Sequence, residues 1–550
     1  MNYKQFMLYS SMCCECLQLK RDKSSLEQDN KRLEQELNLA LQTINMMRYR
    51  MFGRSSEQIN NGQGQFDSLL AECDSLNGES PEENPETEKI EYSRRKKNDK
   101  RNGRVKIPDH LERVEKVIDL PESEKICPVT GLPMIKIGEE ISEQLAYEPG
   151  RIYAIRYIRP KYASPDRRNG NSVGVKTAPL PDGPIDRCKA DVSLLTHIMI
   201  SKFCDHLPLH RQHGMFARHG IELAESTMGG WIKSLGNNLE PLYDLHRSTV
   251  LSCDYLNADD TPILFVRNKK GGKKNKKKGR LKIKNSDGAG KGHMWAYLGR
   301  IKGPPDETGN CKEYKSVFFE FTENWKEEHP LRVLKNYKGH LQSDAYAGFK
   351  KACVQFVDIT GLGCWSHVRR RYFEAVKIGV KEAEYYLMLI NILYRIEHRI
   401  EALKAKGFSD EYLLQLRKKR ANRVMDRFFA KVKAATLLPK SALGKALTYS
   451  RNQEKELRNY VNELRFSPDN NIAENILRGI CLGKRNYMFL GSECAGKTAA
   501  IIYSLLCTCK ANDINPYEYL NDILPRINTH PHSRLHELLP HNWASKPRQD

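Results

Sequence analysis

The stretch DYLNADDTPILFV (residues 254–266) has the composition of a β-strand but carries two adjacent aspartates, Asp259 and Asp260. Apolar, β-branched and aromatic residues surround the pair, as is typical of a strand that packs in a core. Asp259 lies at the predicted end of the strand. It is therefore the first candidate for a functional carboxylate.

The segments that follow predict further strands in a definite order. HMWAYLGRI (293–301) and SVFFEFTE (316–323) read as two more strands. GHLQSDAYAGF (339–349) and VQFVDITGLGCWSHVRRRYFEAV (354–376) each read as a short strand leading towards a helix. Three strands followed by strand and helix is the order of a ribonuclease-H-like core. The sequence thus predicts a multidomain α/β protein with such a core.

Two more carboxylates stand out by their positions. Asp344 lies at the end of a later predicted strand, and Glu474 falls in the first turns of a helix that Asp469 and Asn470 can cap. In a ribonuclease-H-like core, carboxylates from these three places converge at one rim. Oxygen ligands of this kind suit a pair of Mg²⁺ ions that assist phosphodiester cleavage. Spacing alone leaves open the alternative that each is a strand-end or capping carboxylate.

The charge of the chain indicates a polyanionic partner. The 550 residues carry a formal net charge of +22, and the basic residues are clustered, notably in residues 93–106 and 267–284. Nucleic acid is the favoured partner, with a basic surface kept for solubility as the alternative. Without a signal segment or a bilayer-spanning stretch, a cytoplasmic, nucleoid-associated protein with no membrane partner is expected.

The regions outside the core have distinct patterns. Leu19, Leu26 and Leu33 recur every seven residues, which favours a coiled coil that forms a homodimer or higher oligomer; a helix packed on its own chain is the alternative. Short β segments follow the linker, and the helices flanking Gly220 resemble a helix-turn-helix. The expected organisation is a coiled coil (1–60), an acidic then basic linker (61–106), a small β-rich module (107–170), a helix-turn-helix-like region (190–245), the catalytic core (250–370 and 466–510), a helical insertion (371–465) and a tail (511–550).

Many ordered motifs resemble one family, the transposases of the insertion sequence sixty-six family in the DDE superfamily. The matching motifs include RMFGRSSEQI (50–59), NADDTPI (257–263), LQSDAYAGF (341–349), CWSHVRRRYF (364–373), PDNNIAEN (468–475), GKRNYMFLGSE (483–493), INPYEYL (514–520) and HELLPHNW (536–543). They extend over about 500 residues.

The resemblance implies a function and a site. It implies a DNA transposase that cleaves the ends of its element and joins the freed 3′-OH to target DNA, with a catalytic, metal-binding triad at Asp259, Asp344 and Glu474. Two Mg²⁺ ions are expected, with Mn²⁺ as a substitute, together with DNA partners and accessory proteins of the same element. The alternative is a catalytically inactive DNA-binding regulator derived from a transposase.

Other residues near the triad carry separate expectations. Arg478, Lys484 and Arg485 are candidate phosphate contacts, with a solvated basic helix face as the alternative. His367 follows Asp344 by 23 positions; it lies near the site or is an ordinary buried histidine.

This sequence departs from the family pattern at two places. Asp260 stands where the family has Glu after the first catalytic aspartate. In the small β-rich module Cys127 is present, but Thr130 and Ser164 stand where cysteines are expected. A tetrahedral zinc site needs four ligands, so we expect this module to fold without zinc.

The stretch GSECAGKT (491–498) matches the pattern of a phosphate-binding P-loop. A P-loop must be followed by most of a parallel α/β domain, including a strand that ends in an aspartate. The sequence after Thr498 contains no such strand, so a nucleotide-driven ATPase is disfavoured. The stretch is interpreted as the element that follows the Glu474 helix.

Overall fold

The computed structural model describes residues 23, 26–44, 107, 109, 111–126, 131–148, 150–163, 175–267, 288–305, 311–435 and 440–544. The chain divides into two compact units. The first contains Met1–Gly103, Val368–Arg395 and Val424–Asn452, and the second contains Arg104–His367, Ile396–Arg423 and Gln453–Asp550.

Nine strands are described, all in the second unit. They are β1 (Arg113–Val117), β2 (Ile135–Glu148), β3 (Arg151–Ala163), β4 (Val175–Thr177), β5 (Tyr255–Val266), β6 (Ala289–Pro305), β7 (Cys311–Thr322), β8 (Gly339–Gln342) and β9 (Ile359–Leu362).

The described α-helices are numbered in chain order. They are α1 (26–44), α2 (Val192–Phe203), α3 (Leu209–Arg218), α4 (Glu225–Leu251), α5 (Glu328–Leu334), α6 (Ala347–Gln355), α7 (Trp365–Lys377), α8 (Glu382–Ala405), α9 (Asp410–Ala434), α10 (Ala442–Arg451), α11 (Glu454–Arg458), α12 (Asn471–Tyr487), α13 (Glu493–Ala511), α14 (Pro516–Arg526) and α15 (Pro540–Ala544).

The smaller sheet is built on one long hairpin. β2 and β3 pair antiparallel, β1 adds to β3 in parallel, and β4 also pairs with β3. Gly150 has φ of +83° at the turn between β2 and β3, a conformation that glycine adopts at little cost. The strands are longer than the short β segments expected from the sequence.

The larger sheet has five strands in the order β7-β6-β5-β8-β9. β5, β6 and β7 form an antiparallel meander, whereas β8 is parallel to β5 and β9 is parallel to β8. Both short parallel strands lead into helices, α6 and α7, as the sequence predicted.

Strand β6, the middle strand of the antiparallel meander, is buried on both faces. Successive side chains of a strand point to opposite sides. Trp295 and Tyr297 belong to a cluster with Phe349 of α6. Met294 and Ala296 belong to the larger cluster, which includes residues of α2, α4 and α13. Helices thus cover both faces of the sheet.

The edge strand β7 is closed by polar side chains of α13. Ser504 Oγ accepts from the backbone N–H of Phe319 at 2.8 Å, and Thr508 Oγ1 accepts from that of Val317 at 3.1 Å. One turn further along, Asn512 Oδ1 accepts from the N–H of Lys315 at 2.8 Å. The spacing of four residues follows the helix along the strand, so N–H groups that lack a strand partner are satisfied.

Helix α4 extends beyond the boundary at residue 245 that the sequence predicted. It follows a turn at Gly220 (φ +74°) and continues to Leu251. Its C-terminal half is attached to β7, since the Tyr243 hydroxyl donates to the carbonyl oxygen of Phe319 at 2.8 Å. The second helix of the predicted helix-turn-helix therefore also packs against the large sheet and is hydrogen-bonded to it.

Aromatic side chains form the centre of the first unit. Tyr372 stacks on Tyr386 with ring centroids 4.8 Å apart, and both lie edge-on to Phe428. The Tyr372 hydroxyl lies 3.1 Å from Ser450 Oγ. The aromatic residues of this region therefore serve helix packing.

Among the helices that the structure describes, none combines the length and apolar character needed to cross a bilayer.

Removing the Ser504 hydroxyl should destabilise the protein. Ser504→Ala leaves the buried N–H of Phe319 without an acceptor, which costs about 1–3 kcal/mol. Chemical unfolding should show this loss. Ser248→Ala removes an exposed helical hydroxyl and should stay within about 0.5 kcal/mol of wild type. Equal effects of the two changes would contradict the role given to α13.

His246 should make the fold acid-sensitive. It is fully buried, its Nε2 lies 2.9 Å from the Val317 carbonyl oxygen, and burial lowers its pKa to about 4. An unfolded histidine titrates near about 6.5, so the unfolded chain takes up the proton first. Stability attributable to His246 is therefore complete above about pH 6.5 and falls as the pH drops towards about 4.

The measurement is unfolding at a series of pH values. His246→Gln should lose less stability than wild type over that window. His398→Gln changes an exposed histidine and should keep the acid sensitivity of wild type. An unchanged pH dependence in His246→Gln would contradict the assignment.

Candidate active site

Asp259 lies within β5, although the sequence had suggested that it lies at the end of the strand. The strand continues to Val266, paired with β6 along its whole length. On the other side β8 pairs only with residues 255–257. Asp259 therefore occupies the point where β5 loses its parallel neighbour.

Asp344 reaches the same level by strand register. Asn257 of β5 pairs with Gln342 of β8, and each is followed two residues later by an aspartate. Side chains two residues apart in extended chain lie on one face. Asp259 and Asp344 therefore each lie two residues beyond a paired position on two adjacent parallel strands.

Glu474 is brought to this place by the start of α12. Asn470 precedes the helix and is fully buried; its Nδ2 donates to the carbonyl oxygen of Ala258 at 2.9 Å, and its Oδ1 accepts from Asn257 Nδ2 at 2.9 Å. Glu474 lies one turn further on, with its side chain about 20% exposed. The helix begins against β5, directly beside Asp259.

A buried polar network fixes the ends of these elements. Gln342 Oε1 accepts from Asn257 Nδ2 at 3.1 Å and from the Tyr255 hydroxyl. Its Nε2 donates to the Ser467 carbonyl oxygen at 2.8 Å. The network connects β5, β8 and the segment before α12, so the three carboxylates rest on elements that are tied together.

The carboxylates act on one another electrostatically. Burial is the main cause that raises the pKa of Asp259 to about 8; the charges of Asp344, Asp260 and Glu474 add to it, while the Asp260 backbone N–H opposes it. Burial also raises the pKa of Asp344, with opposition from the Tyr346 N–H and the nearby His367. Such mutual repulsion in a poorly hydrated place is relieved by a cation.

Asp260 is held apart from the other carboxylates by its own partners. Its Oδ2 lies 2.5 Å from His293 Nδ1, and its Oδ1 accepts from Trp325 Nε1 at 3.1 Å. The Trp325 ring lies between His293 and Tyr346, stacked on both. This arrangement distinguishes the two neighbouring aspartates, since Asp260 is engaged with aromatic side chains.

His367 and Cys364 complete the surroundings of Glu474. His367 Nδ1 lies 3.5 Å from Glu474 Oε1 and 3.3 Å from Cys364 Sγ. Burial raises the pKa of the Cys364 thiol to about 12. Of the two interpretations of His367, the structure places this side chain near the carboxylates.

The three candidate phosphate-binding residues differ in their surroundings. Arg478 and Arg485 are exposed on α12. At about 100° per residue they lie on the same side of the helix as Glu474. The ammonium group of Lys484 instead donates to Thr261 Oγ1 at 2.7 Å and to the Pro262 carbonyl oxygen at 3.0 Å. Lys484 therefore fastens α12 to β5.

Sequence reasoning missed Asn257, Gln342 and Cys364, and it named Asn470 only as a helix cap. The first two are polar residues within apolar strands, and a buried polar side chain requires a partner. That signal marks them as members of a network but does not name the partners. Cys364 stands within the CWSH motif, but nothing in its spacing pointed to Glu474.

The residues present fit a hard divalent cation. Asp259, Asp344 and Glu474 offer oxygen ligands from three elements that meet at one place, and oxygen ligands are those that Mg²⁺ takes. Burial and the neighbouring carboxylates raise the pKa of Asp259, and a bound cation would stabilise its charged form.

Four family models match segments of this chain. Residues 187–498 match the model described as Transposase IS66 family, and residues 504–541 match the IS66 C-terminal element. Residues 124–165 match the zinc-finger binding domain of transposase IS66. Residues 41–115 match the model described as Transposase C of IS166 homeodomain.

The zinc-finger match corrects the prediction of a module without zinc, which is wrong. That prediction counted nearby cysteines, and Cys127, Thr130 and Ser164 lie outside the described residues. Zinc also accepts histidine and carboxylate ligands, which such a count omits. A local tally of cysteines was therefore too narrow a criterion.

Relatives of similar length are known from Sinorhizobium fredii. One, the uncharacterized protein y4hP, is 29% identical over 462 residues, covering 81% of this chain and 77% of the relative. Another, the uncharacterized protein y4qI, is 28% identical over 450 residues, covering 80% and 76%. These relatives match most of the chain, and the first family model alone spans more than half of it; the chain belongs to the IS66 family of transposases.

Proposed function

We propose that this transposase cleaves the ends of its element and joins them to target DNA through a metal-binding triad of Asp259, Asp344 and Glu474. The observation that carries the proposal is the register of β5 and β8 together with the Asn470 contacts that start α12 beside Asp259. These contacts support a site to which three partly buried carboxylates from distant parts of the chain contribute.

A ribonuclease-H-like core is part of this proposal. An antiparallel meander, two parallel strands added beside its first strand and a late helix with the third carboxylate support it. The helices between residues 371 and 465 are the proposed insertion.

The chemistry follows from the donor set. Two Mg²⁺ ions, which Mn²⁺ can replace, would supply Lewis-acid activation of the phosphoryl group and of the attacking oxygen when bound. Asp259, Asp344 and Glu474 would hold them, since all three offer oxygen. The buried network behind these residues keeps them in place, as preorganised catalysis requires.

Arg478 and Arg485 are proposed to bind DNA phosphates beside the triad. Both are exposed on the side of α12 that bears Glu474, so a DNA backbone that reaches Glu474 would pass them. Lys484 remains a candidate through its place on the same helix, although its ammonium is bonded to β5.

Homodimerisation through α1 is also proposed. Leu26, Leu33, Leu37 and Ile44 occupy the two heptad positions and are all more than half exposed, between 51% and 64%. A different side of α1 is in use within the chain, since Gln42 Oε1 lies 3.4 Å from the backbone nitrogen of Ala442. The exposed apolar row is thus available to a second copy.

Neutralising the triad should abolish strand cleavage. Asp344→Asn removes a charge and a metal ligand, and metal activation supplies several kcal/mol. We expect at least about a hundredfold loss of Mg²⁺-dependent cleavage and joining of labelled end DNA, with DNA binding retained. Asp259→Asn and Glu474→Gln should behave alike.

The control is Asp358→Asn, at an exposed aspartate that directly precedes the edge strand β9. It should cleave like wild type. End binding by wild type without cleavage in Mg²⁺ or Mn²⁺ would instead favour the inactive regulator.

A charge in the heptad row should weaken the dimer. Leu33→Lys places a cation in the proposed seam, whereas Glu34→Lys adds the same side chain at an exposed neighbouring position. Light scattering after size exclusion should show a lower mass only for Leu33→Lys. A mass unaffected by Leu33→Lys would contradict the proposed coiled coil.

A further inference from the structure

The side chains of Cys364, His367 and Glu474 converge beside the triad. His367 Nδ1 is 3.3 Å from Cys364 Sγ and 3.5 Å from Glu474 Oε1, and one ligand atom of each residue lies within 4.8 Å of the others. We propose that these three residues form a transition-metal site that takes Zn²⁺, separate in its ligand chemistry from the Mg²⁺ role proposed for Glu474.

The distances suit tetrahedral coordination. Zinc binds sulfur at about 2.3 Å and nitrogen or oxygen at about 2.0–2.2 Å. Tetrahedral angles then put neighbouring ligand atoms about 3.3–3.7 Å apart. The two separations measured from His367 Nδ1 are 3.3 and 3.5 Å, so a cation fits among the three atoms after small side-chain movements.

The ligands are oriented by the backbone around them. The backbone N–H of Asn470 donates to Cys364 Sγ at 3.2 Å, a contact that stabilises a thiolate. The backbone N–H of Trp365 donates to the Pro468 carbonyl oxygen at 2.9 Å, which joins the start of α7 to the segment before α12. Such outer contacts orient metal ligands and tune their affinity.

The site also has a way in and an open position. Cys364 is 2% exposed and forms the closed end, whereas the His367 and Glu474 side chains are 21% and 20% exposed. Three protein ligands leave the fourth position of a tetrahedral ion to water or another oxygen. An ion can therefore enter from the side of the carboxylates.

The ligand set selects the metal. Thiolate and imidazole favour Zn²⁺ and neighbouring transition metals, whereas Mg²⁺ takes oxygen ligands. Glu474 is common to both sites, so Zn²⁺ bound here would withdraw it from the triad. Zinc is thus expected to inhibit the Mg²⁺-dependent reaction; this consequence, but not zinc binding itself, rests on the proposed function.

Cobalt(II) is the probe, because its bond to a thiolate gives a charge-transfer absorption that Mg²⁺ does not. The full chain is titrated with Co²⁺ and then with Zn²⁺, which should displace it. Cys364→Ser and His367→Gln should each weaken this binding at least about tenfold, and Cys364→Ser should abolish its thiolate band. Cys353→Ser, at a half-buried cysteine of α6, should keep the band.

Two further controls test whether cobalt binds elsewhere in the chain and whether the substitutions at Cys364 prevent folding. Cys127→Ser reports on any cobalt held in the segment that matches the zinc-finger model. Thermal unfolding of Cys364→Ser and of a second variant, Cys364→Ala, shows whether either change prevents folding. A band that persists in a folded protein that combines Cys127→Ser with Cys364→Ser or Cys364→Ala, or the absence of the band from the wild type, overturns the proposed site.

Activity provides the second readout. Zn²⁺ added to the Mg²⁺ reaction should inhibit wild type, and His367→Gln should require at least about ten times more Zn²⁺ for half-inhibition of its own activity. Cobalt binding through Cys364 with no cleavage in Mg²⁺ would uphold the zinc site and refute the triad. Cleavage with no cobalt binding would do the reverse.

Discussion

The hydrogen bonds of Asn470 fix where helix α12 meets the large sheet, and the position of the candidate site depends on them. One side chain donates to the carbonyl oxygen of Ala258 and accepts from Asn257, residues more than 200 positions earlier in the chain. Both partners are buried, and a buried amide that lost them would carry the full cost of desolvation. The start of α12 is therefore fixed against β5, and the position of Glu474 follows from it.

The same arrangement explains how carboxylate side chains can lie partly buried beside β5. Asp259 lies where β8 has ended, so β5, which is buried at residues 255–258, becomes partly open there. Asp260, the next residue, is directed to His293 and Trp325. Alternation along one strand thus gives two adjacent aspartates different environments, and burial raises the pKa of Asp259 to about 8.

Much of the fold could be predicted from local pattern. The alternating strands around 255–322 and the short strands leading to α6 and α7 are encoded in residues next to one another in the chain. The end of β5 was predicted too early, because two aspartates look like a strand terminus when the pairing with β6 is unknown. Lys484 was predicted to contact DNA phosphates, and its hydrogen bonds to Thr261 and Pro262 could not be predicted, because they depend on a contact between α12 and β5 that spacing does not reveal.

The candidate site shows a sharper limit. Residue types named Asp259, Asp344 and Glu474 as candidates, and the family resemblance selected them among many acids. The supporting residues Asn257, Gln342 and Cys364 act through partners about 20 to 200 positions away, and no periodicity encodes such pairs. The zinc prediction failed for a related reason, since a count of neighbouring cysteines stood in for knowledge of a ligand set.

Helix α13, which begins within GSECAGKT, has a consequence of its own. Its first turn keeps Lys497 in an ion pair with Glu493, and its later turns give Ser504, Thr508 and Asn512 to the outer strand. An unpaired strand edge is a template on which another polypeptide can add. Here that template is already occupied by side chains from within the molecule. Another polypeptide therefore cannot add a strand at these positions of β7.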